Sequence, residues 1–410
     1  MGRYRTTAVM TLLCYLLTAA LSGCTTTHHN ARKIEATPIE IAQHEIPEDK
    51  LLDVGIVVFE SAELTDEEIE EKGTNNEIRE SEAHFIPCHL RNTLQRSAQW
   101  GAVRVLPEEN ASHDVMLTGE ILESNGRELV LKIRATDASG RLWYEETYRQ
   151  EANGVSYKEN IPWEEDVFQD LYNAIANDLA AYRQKLPPGS IDRIRSVSRL
   201  KFAQEFAPEA FDGYLVENEN QELTLNRLPA DDDPHMARMM AIRERDHMYI
   251  DTINQYYDGF YASMWSAYVN WRKLDLTERL ARGEIEKSAF LRKAGGALLV
   301  AMAIVLEATQ AGAGSMLQGL MVVSGGQVFM SGINLSKQAE MHSAAIAELS
   351  ESFGMDMEPI NLELKGQTYE LTGSAKEQYR QWQTLLRQIY EQETGFGPRI
   401  EDGPEVSVAD

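Results

Sequence analysis

Forty-three consecutive residues, Ala294 to Ser336, carry one charge, Glu307, and eight glycines. Each glycine disfavours an isolated helix by about 1 kcal/mol relative to alanine. The stretch is therefore helical only if close packing compensates, as small residues do where helices approach each other. So long a run with a single charge cannot face water throughout, and whatever it folds into must be covered. Two readings follow. In the first, Ala294–Leu306 and Met316–Leu335 are a buried helical pair at the centre of a C-terminal domain. In the second, the same halves form a hairpin that enters a membrane or lines an oligomeric pore, with Gln310, Gln318, Gln327 and Asn334 on the inner side. Gly312, Gly319, Gly325 and Gly326 are candidates for partner or membrane contact through close approach. The uninterrupted apolar length falls short of the roughly 20 residues of a spanning helix. Four amides and Glu307 are also costly in lipid. The buried pair is preferred.

The N-terminus has a different three-part logic. Arg3 and Arg5 precede an apolar run from Ala8 to Leu21, and Leu21-Ser22-Gly23-Cys24 follows. A basic flank, a short apolar run and a small-residue end read as a signal peptide over residues 1–23. The last four residues resemble the lipobox of bacterial lipoproteins. That resemblance implies cleavage between Gly23 and Cys24 and acylation of Cys24, which becomes an anchor. More than one acyl chain suffices for stable attachment without a spanning helix. The family's sorting rule retains proteins with Asp after the cysteine in the inner membrane. Here Thr25 follows, so the implied location is the periplasmic face of the outer membrane. Residues 24–50 read as a lipidated polar tether. Its His28-His29 pair has no partner at ligand spacing and reads as solvated.

Of the 410 residues, 43% are hydrophobic and 25% charged, enough apolar material for real cores and too much for a disordered polyelectrolyte. The net charge of −26, which becomes −28 once Arg3 and Arg5 leave with the signal peptide, and the lack of a basic stripe argue against nucleic acid as a partner. Three cysteines are too few for a disulfide framework. Cys88 reads as a small buried side chain.

Residues 51–155 read as a small α/β domain. Leu51–Phe59 is a strand buried on both faces, Glu77–Trp100 is helical around Phe85, Leu90 and Leu94, and Ala102–Leu106 is a second strand. Pro87 must begin a turn of that helix or kink it. A meander follows: His113–Leu122, Glu128–Ala135 and Leu142–Tyr148, the last pair closed by Asp137-Ala138-Ser139-Gly140. Asp137, Gly140 and Trp143 form the phrase Asp-x-x-Gly-x-x-Trp, and HDVMLTGEI precedes it as an Asp-x-x-x-x-Gly strand. In this, the segment resembles the CsgG-like periplasmic domain, also found as the TolB amino-terminal domain and in LpoB-like lipoproteins. The resemblance implies a partner-binding scaffold that often assembles into rings and carries no reaction. Asp137 itself reads as a loop-closing residue.

Residues 160–290 read as helical. Asp231-Asp232-Asp233-Pro234 opens the longest proline-free stretch, and its acids suit a helix start better than a metal. The stretch carries an aromatic band that includes Tyr256, Tyr257, Tyr261 and Trp265. A helix of some 50 residues is on the order of 70 Å long. It must fold back near Gly259 or be covered by another surface. Tyr256, Tyr257, Tyr261 and Trp265 are the candidates for partner or membrane contact.

Residues 291–395 complete a larger, mainly α-helical domain with a β-hairpin, Ile360–Leu364 and Gln367–Leu371, and a closing helix started by a Ser374–Glu377 capping box. Residues 396–410 read as a loose tail. The fold class expected is α+β. No motif for a nucleophile, a metal or a phosphate loop is present, so no catalytic residue and no cofactor is expected. The function expected is a non-enzymatic, lipid-anchored periplasmic scaffold or assembly factor, homo-oligomeric and in contact with other envelope proteins. The alternatives are an export component whose residues 294–336 insert into the outer membrane, and a periplasmic hydrolase without a recognisable motif.

Overall fold

The computed structural model describes residues 31–65, 67–69, 76–110, 112–152, 165–307, 341, 344–348, 357–364, 367–394 and 407–408, with backbone alone over 281–307, 363–364, 367, 392–394 and 407–408. It is a mixed α/β molecule: a six-stranded mixed sheet, a largely helical region and a C-terminal strand hairpin. Cys24, Gly23, Gly312, Gly319, Gly325 and Gly326 lie outside the described residues.

The sheet is built as the apolar runs predict, with β2 (Val54–Val57), β3 (Val103–Leu106), β4 (Val115–Ser124), β5 (Glu128–Asp137) and β6 (Leu142–Glu151). β2 pairs parallel with both β3 and β4, and the α-helix α1 (Asn76–Arg96) makes the crossover that a parallel pair requires. β4, β5 and β6 form the antiparallel meander. The order across the sheet is β1-β6-β5-β4-β2-β3. Its β1 (Arg32–Lys33) comes from the segment read as a tether and pairs with β6. That segment is part of the fold beyond β1 as well. Thr37 N–H donates to Asp170 and Glu40 N–H to Asn177, both on α2 (Gln169–Gln184). Polar composition hid this docking, because apart from the buried Ile34 the contacts are hydrogen bonds from the backbone to side chains of α2.

The hairpin loop behaves as its sequence predicts. Asp137 accepts hydrogen bonds from Ser139 N–H at 2.9 Å and from the Trp143 indole N–H at 2.9 Å, and Gly140 sits at φ +85°. Pro87 is inside α1 and neither begins nor ends it. A proline leaves the carbonyl four residues earlier without its helical partner. Here that carbonyl, Ala83 O, accepts from Phe59 N–H at 3.0 Å, just past the end of β2.

After α2 come α3 (Ser190–Phe206), the short α4 (Pro208–Phe211) and a small hairpin of β7 (Leu215–Glu217) with β8 (Leu223–Leu225). Asp233 then caps α5 by accepting from His235 and Met236 N–H, which gives the acidic run its structural role. α5 is a single helix, Pro234–Glu307, and does not fold back at Gly259. Met239, Ile242, Tyr249, Ile253, Tyr257, Phe260, Met264, Tyr268 and Trp271, at steps of three, four and seven, form its buried stripe.

Among the contacts that fasten α5 to the sheet domain, three stand out. Asn254 covers the free edge of β3, accepting from Val105 N–H at 2.8 Å and donating to Val105 O at 2.9 Å. An edge strand needs such a cover. Arg272, 1% exposed along its side chain, lies between Asp166 at 3.0 Å and Glu82 at 3.6 Å. The β4–β5 turn closes on the helix at Gly126, whose N–H donates to Asp275 at 2.7 Å. A Cβ at Gly126 would stand 2.0 Å from the Arg272 carbonyl, so only glycine fits.

The C-terminal unit is β9 (Ile360–Leu364), β10 (Gln367–Leu371), α6 (Ala375–Thr394) and β11 (Ser407–Val408). The capping box forms as read: Ser374 N–H donates to Glu377 at 2.9 Å and Glu377 N–H to Ser374 Oγ at 3.3 Å. Among the described residues no helix is long and apolar enough to cross a membrane.

Candidate functional site

α1 is buried on nearly every side, by the sheet on one and by α2 and α5 on others. Phe85 on α1 stacks on Tyr261 of α5 at 4.7 Å and lies 5.9 Å from Trp265 and 4.5 Å from Tyr268. One turn on, His89 stacks on Trp265 at 5.8 Å. The aromatic band of α5 is thus spent mainly on α1.

Where the two helices diverge they leave a groove of about 650 Å³ lined by His89, Asn92, Gln95 and Arg96 of α1 and by Tyr261, Ala262 and Trp265 of α5. The buried imidazole of His89 is fixed on both sides. Gln169 donates to Thr93 and Asn173 through its amide nitrogen, so its oxygen faces His89 Nε2 and accepts from it at 2.9 Å. His89 Nδ1 therefore accepts from the Tyr261 hydroxyl at 2.7 Å. Burial holds the imidazole below its ordinary value and keeps it neutral. With both ring nitrogens used internally, it orients Tyr261 instead of acting as a free base. What the groove offers is a half-buried indole and phenol, with amides and the exposed Arg96 guanidinium at the rim. Such a surface suits docking through aromatic anchors.

Two of the four aromatic candidates, Tyr261 and Trp265, meet in this groove. Tyr257 is buried at 1% exposure near His84 and belongs to the core, while Tyr256 is half-buried outside the groove. His89, Asn92 and Arg96 were missed from sequence. Their spacing of three and four puts them on one face of α1, a polar stripe on a helix read only for its apolar positions. Cys88, next to this face, is fully buried, and burial pushes its thiol up to about 12, so it is a small packing side chain. Among the described residues no group of three or more His, Cys, Asp or Glu is placed to hold a metal ion.

No family model and no curated protein matches this chain. Among solved structures, a PelC variant dodecamer from Paraburkholderia phytofirmans is similar at 13% identity over 36% of this chain and 94% of that chain, with a TM-score of 0.19. A likeness of that size bears on neither fold nor function.

Proposed function

We propose that the chain is a non-enzymatic, lipid-anchored scaffold or assembly factor on the periplasmic face of the outer membrane. It acts through protein–protein contacts and is homo-oligomeric. The observation that carries this reading is α5. Its first forty residues are fastened to the sheet domain by Asn254, Arg272 and Asp275, and the helix then continues to Glu307 without a break. From Asp275 to Ala294, where the charge-poor run begins, is a rise of roughly 28 Å. A helix fixed at one end and charge-poor at the other links the position of the sheet domain to whatever covers residues 294–336. The groove at Tyr261 and Trp265, near the fastened end, is a second contact surface. The lipobox resemblance of residues 21–24 supplies the anchor, and the CsgG-like resemblance of residues 51–155 supports a scaffold role.

The test is to express the chain from Thr25, since residues 31–50 dock on the sheet domain and must be kept. Its native mass and pull-downs from envelope extracts are then compared with those of Trp265→Ala. A defined oligomer or a retained envelope partner that the substitution weakens is the expected result. A monomer with no partner contradicts the reading.

The export reading rests on the charge-free helix Ala294–Leu306, which continues α5 beyond its last fastened residue. It requires the same product to be insoluble without detergent.

A further inference from the structure

The groove between α1 and α5 leaves few of its polar atoms open. The Tyr261 hydroxyl donates to His89 at 2.7 Å, and His89 has both ring nitrogens in use. Asn92 Oδ1 accepts from Arg91 Nη2 at 3.0 Å, and its amide nitrogen faces the Tyr261 hydroxyl. What remains for a ligand is the exposed pair Gln95 and Arg96 and the half-buried rings of Tyr261 and Trp265. Gln95 reaches the Val103 carbonyl only at 3.4 Å, and no donor among the described residues meets its Oε1.

Arg96 decides the sign of the occupant. Arg91 beside it is paired with Asp258, and Arg104 on β3 with Asp251 at 2.6 Å. Among the described residues Arg96 has no ion-pair partner, and its guanidinium makes one long hydrogen bond, to Thr93 Oγ1 at 3.5 Å. As the last residue of α1 it suits the negative end of the helix, a role that leaves its N–H groups free. The lining holds no acid, and Asp166 behind His89 is buried and paired with Arg272 at 3.0 Å. In a chain with 65 Asp+Glu against 39 Lys+Arg, an unpaired cation beside an acid-free aromatic groove favours a negative occupant.

The same open atoms choose its class. A sugar ring presents hydroxyls on every side and needs several open partners, whereas the groove offers one amide and one guanidinium. A peptide needs an apolar anchor, a charge contact and an amide for its backbone, which is the set left open. We propose that the groove binds an acidic peptide segment. An aromatic or aliphatic side chain lies against Trp265 and Tyr261, a neighbouring carboxylate takes Arg96 as a bidentate pair, and Gln95 pairs with the peptide backbone. This rests on the groove's role as a contact surface in the proposed function and adds the chemistry of the partner.

The rings are set before a ligand arrives. Phe85 and His89 stack on the indole at 5.9 and 5.8 Å, and His89 holds the Tyr261 hydroxyl. Little side-chain freedom is then lost on binding.

Binding of the full chain to an array of immobilised decapeptides tests the proposal. Each carries a Phe or Leu anchor with Glu a few positions on, and the controls replace Glu by Gln, Glu by Lys, or the anchor by Gly. Trigalacturonic acid in solution is the acidic saccharide probe. Peptides with both anchor and Glu should bind about tenfold more tightly than their Gln counterparts, and the gap should narrow at high salt. Arg96→Glu should turn the preference from Glu to Lys peptides, a gain that a misfolded variant cannot show. Trp265→Ala should bind none of them. Equal binding of Glu and Gln peptides, an unchanged preference in Arg96→Glu, no peptide bound, or trigalacturonate bound in place of peptide overturns the proposal. A Trp265-dependent oligomer or envelope partner without this peptide selectivity refutes the acidic-peptide assignment and leaves the proposed function standing.

Discussion

Asp246, fully buried on α5, sets a pH term in stability because burial pushes its carboxyl up. Its carboxyl stands at about 7 in the folded protein against 3.8 ordinarily, so between about pH 4 and 7 the folded state keeps a proton that the unfolded chain has lost. Stability from this group is therefore lost as pH rises through that window and is level above it. Asp246→Asn lacks the term. Its unfolding free energy should gain on the unmodified protein by up to about 4 kcal/mol between pH 4 and pH 8. Denaturant unfolding at both pH values checks this, and parallel curves would mean the carboxyl ionises freely. Gly126 is decided by space alone. Gly126→Ala should cost about 2–3 kcal/mol, because the methyl meets α5 backbone and not a side chain that can turn aside. Residues whose role is local were legible in sequence: Asp137 with Gly140 and Trp143, Asp233 at a helix start, and Ser374 with Glu377. Arg272 was not. Its carboxylate partner Asp166 lies 106 residues away in the chain, and no local pattern marks a pair made by packing.

The elements follow the apolar runs, and the ones that escaped reading are those held by backbone hydrogen bonds. β1 has two residues, both exposed, and β7 and β8 have three each. Nothing in so short a stretch shows alternation. α1 was placed correctly, yet its contacts were under-read because it is covered on several sides and its apolar periodicity is blurred. Pro87 is tolerated because the carbonyl it frees has a partner in Phe59. Pro87→Ala would let residue 87 compete for that carbonyl, so the Phe59 amide should exchange faster with solvent while α1 stays helical. Asn254 is the side chain that closes the sheet edge. Asn254→Ala should leave the Val105 N–H and C=O unpaired, at a cost of about 2–4 kcal/mol. Hydrogen exchange should rise at Val105 and spread along β3, whereas protection confined to its original level would show that another group covers the edge.

At the scale of the whole molecule, the aromatic band has a different use from the one its composition suggested. Most of it joins α5 to α1, and only Tyr261 and Trp265 remain at an open groove. The length of the helix, which demanded either a fold-back or a cover, is met by a cover over its first forty residues and by an uninterrupted continuation. In the proposed function, attachment to the membrane lies in the acyl chains of Cys24 and the charge-poor run contacts protein. Fractionation of cells exporting the chain from Thr25 behind a cleavable signal that lacks a lipobox tests that division most directly. The protein is expected in the soluble fraction rather than the membrane pellet; retention in the pellet through a high-salt wash would contradict the proposed function and make residues 294–336 the membrane element.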